Sequence, residues 1–396
     1  MRLLYLDVCA QFINPTRNLL PTVIGLAADT VFYGPGYVDS KRLSGGIRKF
    51  IDCEGPFDAV LISPHVIFGD LYKLGFHTCD FFRFYSCSFP KADLMALHDM
   101  ALELRNLSLP RIGVILESDS YNFQEGELSR IDQCTEASIT TGEQFFKEIV
   151  NLANLKDEVF ASDANDKWIN YARQNTKRIA SFPHIIGENE FNYTALALRK
   201  HVWSVMGVNY HARKIANARL KSSGIKPVKD GWARKFMAGL KRGGIVRKEL
   251  PAYLNYINAD FRERIASARY SYTCGSGLEL PIRKVFEIPA AGAVLVCRSF
   301  SGFEELGFVD RKNAIICEPE DVIEVHRWLE SDKSRAQHIA DAGRDMVLKN
   351  HSVKARAEQF RAIVESVING TFSGGKWEKG EYITLYRSVG EEENER

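Results

Sequence analysis

Short apolar runs recur along the first part of the chain, each separated from the next by a stretch with helical spacing. This alternation is what most constrains the fold. Residues 3–8, 30–33, 59–63, 80–85 and 111–116 read as strands, with 138–141 and 158–161 as shorter ones; residues 42–51, 92–106, 143–151 and 167–175 read as helices between and after them. Strands alternating with helices predict βαβ units and a parallel sheet covered on both faces. Ligands of such sheets gather at the carboxyl ends of the strands. Those ends direct attention to residues 7–14 from Asp7 on, Gly34-Pro35-Gly36, Ser63-Pro64-His65 and Glu117-Ser118-Asp119.

Phe182-Pro183-His184 breaks the pattern, and a second alternation follows. It runs through a strand at 201–206, Gly207, a helix at 212–222, a basic loop and helix, the stretch 249–267, a strand at 314–317, and helices at 321–331, 336–349 and 353–368. A length of 396 residues exceeds one ordinary domain. The expected division is a first domain over 1–190, a second over 191–370 and a partly flexible extension over 371–396, with a ligand cleft between two doubly wound halves.

Within the second half, residues 270–305 carry the densest set of chemistry-bearing groups. They read as a glycine loop (Gly275, Ser276, Gly277), a helix bearing Glu279 and Glu287, a turn at Gly292, an apolar strand and an acidic turn ending in Glu304 and Glu305. A glycine loop that feeds a helix lets backbone N–H groups approach a phosphate, and the helix dipole favours the negative charge. Carboxylates on the same helix can take the hydroxyls of a ribose or sugar. A plain turn is the alternative for the glycines, and an ordinary loop carboxylate for Glu304 and Glu305.

Composition narrows the partners. The formal charge of +2, with 45% hydrophobic and 26% charged residues, describes a globular protein with no overall pull towards nucleic acid. One basic segment is hidden in that average: Lys226, Lys229, Arg234, Lys235, Lys241, Arg242 and Arg247 interleave with Trp232 and Phe236. It is either a solvated helix face or a contact for a polyanion or lipid headgroup, so peripheral membrane contact stays open. The eight cysteines show no repeated pair spacing and read as reduced core residues of a cytoplasmic protein, without a zinc site. No stretch of 18 apolar residues is present, so no membrane span is expected.

The run RKVFEIPAAGAVLVCRSFSGFEELGF and the segment from AIICEPEDVIEVHRWLE to KNHSVKARAEQF resemble the C-terminal half of GT-B glycosyltransferases, especially the group that includes the spore-maturation-type enzymes. The resemblance covers roughly 265–360, and the YGPGY run is similar to a Gly-Pro-Gly often found in that group. It implies an α/β chain of two Rossmann-like domains facing across a cleft, a nucleotide sugar bound mainly by the second, and no cofactor or metal. It also places Glu287 where related enzymes bind the donor ribose, and Glu279 at the first glutamate of a Glu-x7-Glu pattern. Leu280-Pro281 after Glu279 departs from the usual Glu-Gly-Phe-Gly.

The expected function is therefore transfer of a sugar from a nucleoside diphosphate to an unidentified acceptor, without metal. Such chemistry needs a stabilised leaving diphosphate and a base for the acceptor hydroxyl. Gly207, Tyr210, Arg213 and Lys214 follow the first strand of the second half, and Arg213 and Lys214 are the leading diphosphate ligands, the alternative being a solvated helix start. Arg283 and Lys284 either reach the phosphates or pair with Glu279 or Glu287. Base candidates are Asp119 first, with Glu117, His65 and His184 competing. An epimerase-like enzyme of the same fold, a DNA-modifying glycosyltransferase and a non-catalytic nucleotide-sugar binder are the alternatives.

Overall fold

The computed structural model describes residues 1–9, 15–69, 91–116, 125–141, 163–207, 210–228, 231–232, 236, 239–240, 251–275 and 279–387. The expected strands at 80–85 and 158–161 and the helix at 143–151 lie outside them.

Six parallel strands form the first sheet: β1 (Arg2–Leu6), β2 (Asp29–Tyr33), β3 (Ala59–Ile62), β4 (Arg111–Ile115), β5 (Ala137–Thr140) and β6 (Ile179–Ser181), in the order β2-β1-β3-β4-β5-β6. Every neighbouring pair is parallel. The side chains of β1 and β3 divide by alternation between two cores. Leu4, Leu6, Val60 and Ile62 pack on one face with Phe50 and Trp168. Leu3, Tyr5 and Leu61 pack on the other with Val23 and Ile24 of α1 (Pro15–Ala27). Both faces are covered, so the central strands read as unbroken apolar runs. The strand order reverses between β1 and β3, which makes their carboxyl ends the switch point of the sheet. The short helix α2 (Pro64–Ile67) starts directly at the end of β3 and is buried throughout.

The second sheet is also parallel: β7 (His201–Ser204), β8 (Ala268–Thr273), β9 (Val294–Cys297) and β10 (Ile315–Ile316), in the order β10-β9-β8-β7. Helices α3 (His211–Ser222), α4 (Pro251–Ala266) and α5 (Lys284–Ala290) connect its first three strands. The expected helices over 321–331 and 336–349 are Val322–Ser331 and α6 (Lys333–His351).

Strands β6 and β8 were not legible beforehand. β6 is only three residues long, too short for any alternation. β8 carries the sequence ARYSYT, whose hydroxyls hide an interior strand: Tyr270 and Tyr272 are each 1% exposed, and Ser271 pairs with Ser204 of β7 at 2.6 Å. The expected helix start near Glu279 is likewise corrected. Helix α5 begins only at Lys284, because Pro281 disfavours the helical conformation at the residue before it. Glu279 instead sits at φ +52°, its carbonyl accepting a 2.8 Å bond from Ser301 N–H, so it does not share a helix with Glu287.

After α6 the chain returns to the first sheet. Helix α7 (Val353–Ile368) buries Val353, Ala357, Phe360, Ile363, Val364 and Val367 against that sheet's core and lies along α1. The antiparallel hairpin β11 (Phe372–Glu378) and β12 (Glu381–Tyr386) then spans both halves, with Phe372 in the first core and Trp377 in the second. At this crossing lies Arg356, 0% exposed. Its guanidinium sits between Phe182 (5.5 Å) and Trp377 (4.6 Å), and donates to Gln359 Oε1 (2.6 Å) and to His351 Nδ1. His351 Nε2–H in turn donates to the Leu306 carbonyl at 2.9 Å. No carboxylate among the described residues pairs with Arg356, and burial pushes it down to about 9.

Candidate active site

The switch point of the first sheet is built from Asp7 and His65. Asp7 follows β1 and is 5% exposed; His65 lies in α2 and is 2% exposed. His65 Nδ1–H donates to Asp7 Oδ1 at 2.9 Å, and Tyr5 O–H donates to Asp7 Oδ2 at 2.8 Å. Burial raises the proton affinity of Asp7, but hydrogen bonding and charge from His65, with further bonds from Ser63 and Tyr5, outweigh it and hold the carboxyl below its ordinary value. An ionised Asp7 fixes the imidazole tautomer, with Nδ1 as donor and Nε2 as the basic nitrogen. The Gly-Pro-Gly turn supports this corner. Cys9 N–H donates to Pro35 O at 2.8 Å, and Gly34 (φ +143°) packs its Cα against the Asp7 carbonyl, where no Cβ would fit.

Glu117 and Asp119, placed by sequence at the end of β4, lie outside the described residues. His184 lies beyond β6 on the segment that crosses between halves. Burial, and then the charges of Arg283, Arg356 and Lys284, push it down to about 3, so its ring is neutral at physiological pH and has little affinity for a proton.

The carboxyl edge of the second sheet collects cations. Gly207 follows β7 at φ +105°, and the side chains of Lys284 and Arg213 cross directly above it; Arg213 Nη1 would lie 2.9 Å from a Cβ there. The positive φ favours glycine here, and without a side chain both cations come close to the backbone. Arg213, 2% exposed at the start of α3, donates to Thr273 Oγ1 at 2.6 Å, and its guanidinium lies 5.1 Å from the Tyr210 ring. Lys284 Nζ lies 4.5 Å from the Phe261 ring of α4. Lys214, expected beside Arg213, is exposed, because helical geometry turns adjacent residues about 100° apart.

Arg283 is held by two carboxylates. Its Nη2 donates to Glu190 Oε1 at 2.7 Å and its Nη1 to Glu190 Oε2 at 2.9 Å; Nη1 also pairs with Glu287 Oε1, one turn on. Glu287 is thereby fixed at the edge of the sheet with a side chain 12% exposed. Glu190 belongs to no motif and was not among the expected site residues; only its fold position reveals it. Glu279 pairs instead with Arg298 at 3.6 Å, and Arg298 with Glu318 at 2.9 Å. Gly275 closes its loop by accepting from Leu280 N–H at 2.6 Å, while Ser276 and Gly277 lie outside the described residues. Among the described residues no group of three or more His, Cys, Asp or Glu side chains could hold a metal ion.

Residues 213–362 match the family described as glycosyl transferase-like, a match that opens on Arg213 and includes Lys284 and Glu287. The fold is similar to that of HepE from Anabaena in complex with UDP and glucose: 11% identity, 92% of this chain and 100% of that one covered, TM-score 0.52. The same protein in complex with UDP-glucose gives 11% identity, the same coverage and a TM-score of 0.51. Residues 213–362 are glycosyl transferase-like in sequence, and the chain has the GT-B fold. No curated protein matches the sequence. The two parallel sheets of this GT-B fold thus bring contrasting side chains to their carboxyl edges, an Asp–His pair on one and a cation group on the other.

Proposed function

We propose that the enzyme transfers a sugar from a nucleoside diphosphate, a UDP-sugar being the first donor class to test, to a hydroxyl acceptor held by the first half. The observation that carries this reading is the convergence of Lys284 and Arg213 above Gly207, from helices 71 residues apart in sequence. Two cations at the end of a parallel sheet suit a diphosphate, and Glu287, fixed by Arg283, suits the ribose hydroxyls. UDP and UDP-glucose bound to HepE, a protein of the same fold, support this donor class.

In the reaction the bond from the anomeric carbon to the diphosphate oxygen breaks, and a bond from that carbon to the acceptor oxygen forms. The acceptor proton goes to His65 Nε2, with Asp7 stabilising the imidazolium, and the leaving diphosphate stays paired with Arg213 and Lys284. Because these side chains supply the positive charge, turnover is expected to persist in excess chelator. Titration with a panel of nucleotide sugars tests the donor site. Binding with turnover only when acceptor is added supports transfer; turnover without acceptor would point to an epimerase-like reaction, and absence of any binding would sink the proposal.

A further inference from the structure

The hairpin that spans the two halves ends in a strand with an open edge. Among the described residues β12 pairs with β11 alone. Lys379 (φ +50°) and Gly380 (φ +91°) form a two-residue turn, so Glu378 and Glu381 make a hydrogen-bonded pair. Alternation from there turns the backbone groups of Glu381, Ile383 and Leu385 towards β11 and those of Tyr382, Thr384 and Tyr386 away from it. Arg387 N–H donates to Thr371 O at 2.8 Å, which keeps this parity past the bulge in β11. The hairpin is anchored on the fold: Gly380 N–H donates to Glu305 O at 2.8 Å, and Trp377 Nε1–H to Ser181 Oγ at 3.2 Å. Between Glu381 and Arg387 the strand has no charge or proline of the kind that protects an edge. Ile383, Leu385 and Tyr386 are 39%, 41% and 62% exposed.

We propose that this edge joins a second copy of the chain, β12 to β12, antiparallel about a two-fold axis at Thr384. The sequence EYITLYR is complementary to itself in that register. Glu381 stands opposite Arg387 of the second copy, Tyr382 opposite Tyr386, Ile383 opposite Leu385, and Thr384 opposite Thr384. Opposite charges, paired aromatics and paired β-branched residues are the combinations that stabilise neighbouring strands. The outward-facing residues 382, 384 and 386 fall opposite one another, so their backbone groups exchange hydrogen bonds. Moving the axis by one residue would set Glu381 against Leu385, or Arg387 against Ile383, and would match no opposite charges.

Glu381 Oε1 already accepts from Lys349 Nζ of α6 at 2.9 Å, and both side chains are exposed, so Arg387 of the second copy has access to the same carboxylate. The two hairpins would form one four-stranded sheet, and the two-fold contact is closed, so assembly stops at a dimer. Each hairpin sets Phe372 in the first core and Trp377 in the second, so the contact would brace both halves of each copy. A strand of an unrelated protein could use the same backbone groups, but the match of β12 to itself favours a second copy. The pairing does not depend on the glycosyl-transfer chemistry.

The test is sedimentation velocity of the full chain from about 1 to 200 µM, with circular dichroism to check folding. A dimer is expected within that range. Arg387→Glu sets two carboxylates opposite each other, and Glu381→Arg sets two guanidinium groups opposite each other; each variant alone should dimerise at least about tenfold more weakly. An equal mixture of the two should dimerise again, because every Glu then faces an Arg. Thr384→Pro removes an N–H that β11 does not use and should abolish the dimer while the hairpin stays folded. A monomer throughout the range overturns the proposal. So does a dimer that Arg387→Glu and Thr384→Pro leave unchanged, which would put the contact on another face, and so does a mixture no more dimeric than its components.

Discussion

The two sheets share a topology of parallel strands, but their carboxyl edges hold opposite chemistry. At β1 and β3 an ionised Asp7 is closed in by the hydrogen bonds of His65 and Tyr5, so the negative charge is compensated internally. At β7 and the start of α5, Arg213 and Lys284 meet above Gly207, and Arg283 beside them is bonded to the carboxylates of Glu190 and Glu287. In the proposed reaction the first edge accepts a proton and the second an anion. The comparison shows that a doubly wound sheet fixes where a site forms, while the side chains that follow its strands decide what the site does.

That contrast can be broken at several points. The largest effect is expected from His65→Ala, which should lower kcat by about 10²- to 10⁴-fold while donor Kd stays unchanged; a kcat within a few-fold of the parent would remove His65 as the base. Asp7→Asn should behave as a positioning change, weakening turnover and moving the pH profile because the imidazolium loses its counter-charge. On the other edge, Lys284→Ala and Arg213→Ala should each cost about 10²-fold in kcat/KM for the sugar nucleotide. Equal losses for donors with and without a diphosphate would detach these cations from the phosphates.

Smaller effects sharpen how the two halves are held. Arg356→Met should destabilise the fold by about 1–3 kcal/mol in chemical denaturation, since His351 Nδ1 and Gln359 Oε1 lose their donor in a buried setting. Unchanged stability would show that the clamp contributes nothing. The pH dependence is subtler. His184 is pushed from 6.5 down to about 3, so its contribution to stability is full above pH 6.5. Below that, the unfolded chain takes up a proton that the folded chain refuses, and the contribution is lost as pH falls towards about 3. The lowered carboxyl of Asp7 adds a loss at the acid end, below about 3.8. A His184→Gln variant should lose less stability than the parent between pH 7 and 5, measured by urea titration at each pH.

Much of the framework was legible because its signals are local. Apolar runs such as 59–63 and 111–116 became central strands, and helical spacing located 212–222 and 353–368. Where the signal was short or chemically disguised it failed: β6 spans three residues, and the two tyrosines, the serine and the threonine of β8 carry hydroxyls that break up its apolar run. Glu279 and Glu287 show the same limit in the site. Their spacing suggested one helix, but Pro281 delays the helix, so they face different partners, Arg298 and Arg283.

The sequence by itself determined two sets of parallel strands, a glycine after the first strand of the second set and the residue types at each strand end, because chain stiffness, burial period and turn chemistry act over a few residues. Only the tertiary structure decided which of those residues meet. Asp7 and His65 are 58 positions apart, as are no two residues within one element, and Arg213 reaches Thr273 across 60. It also returned α7 to the first sheet, where its apolar stripe joins the core beside α1. Packing of distant surfaces fixes these encounters, and no local pattern encodes them.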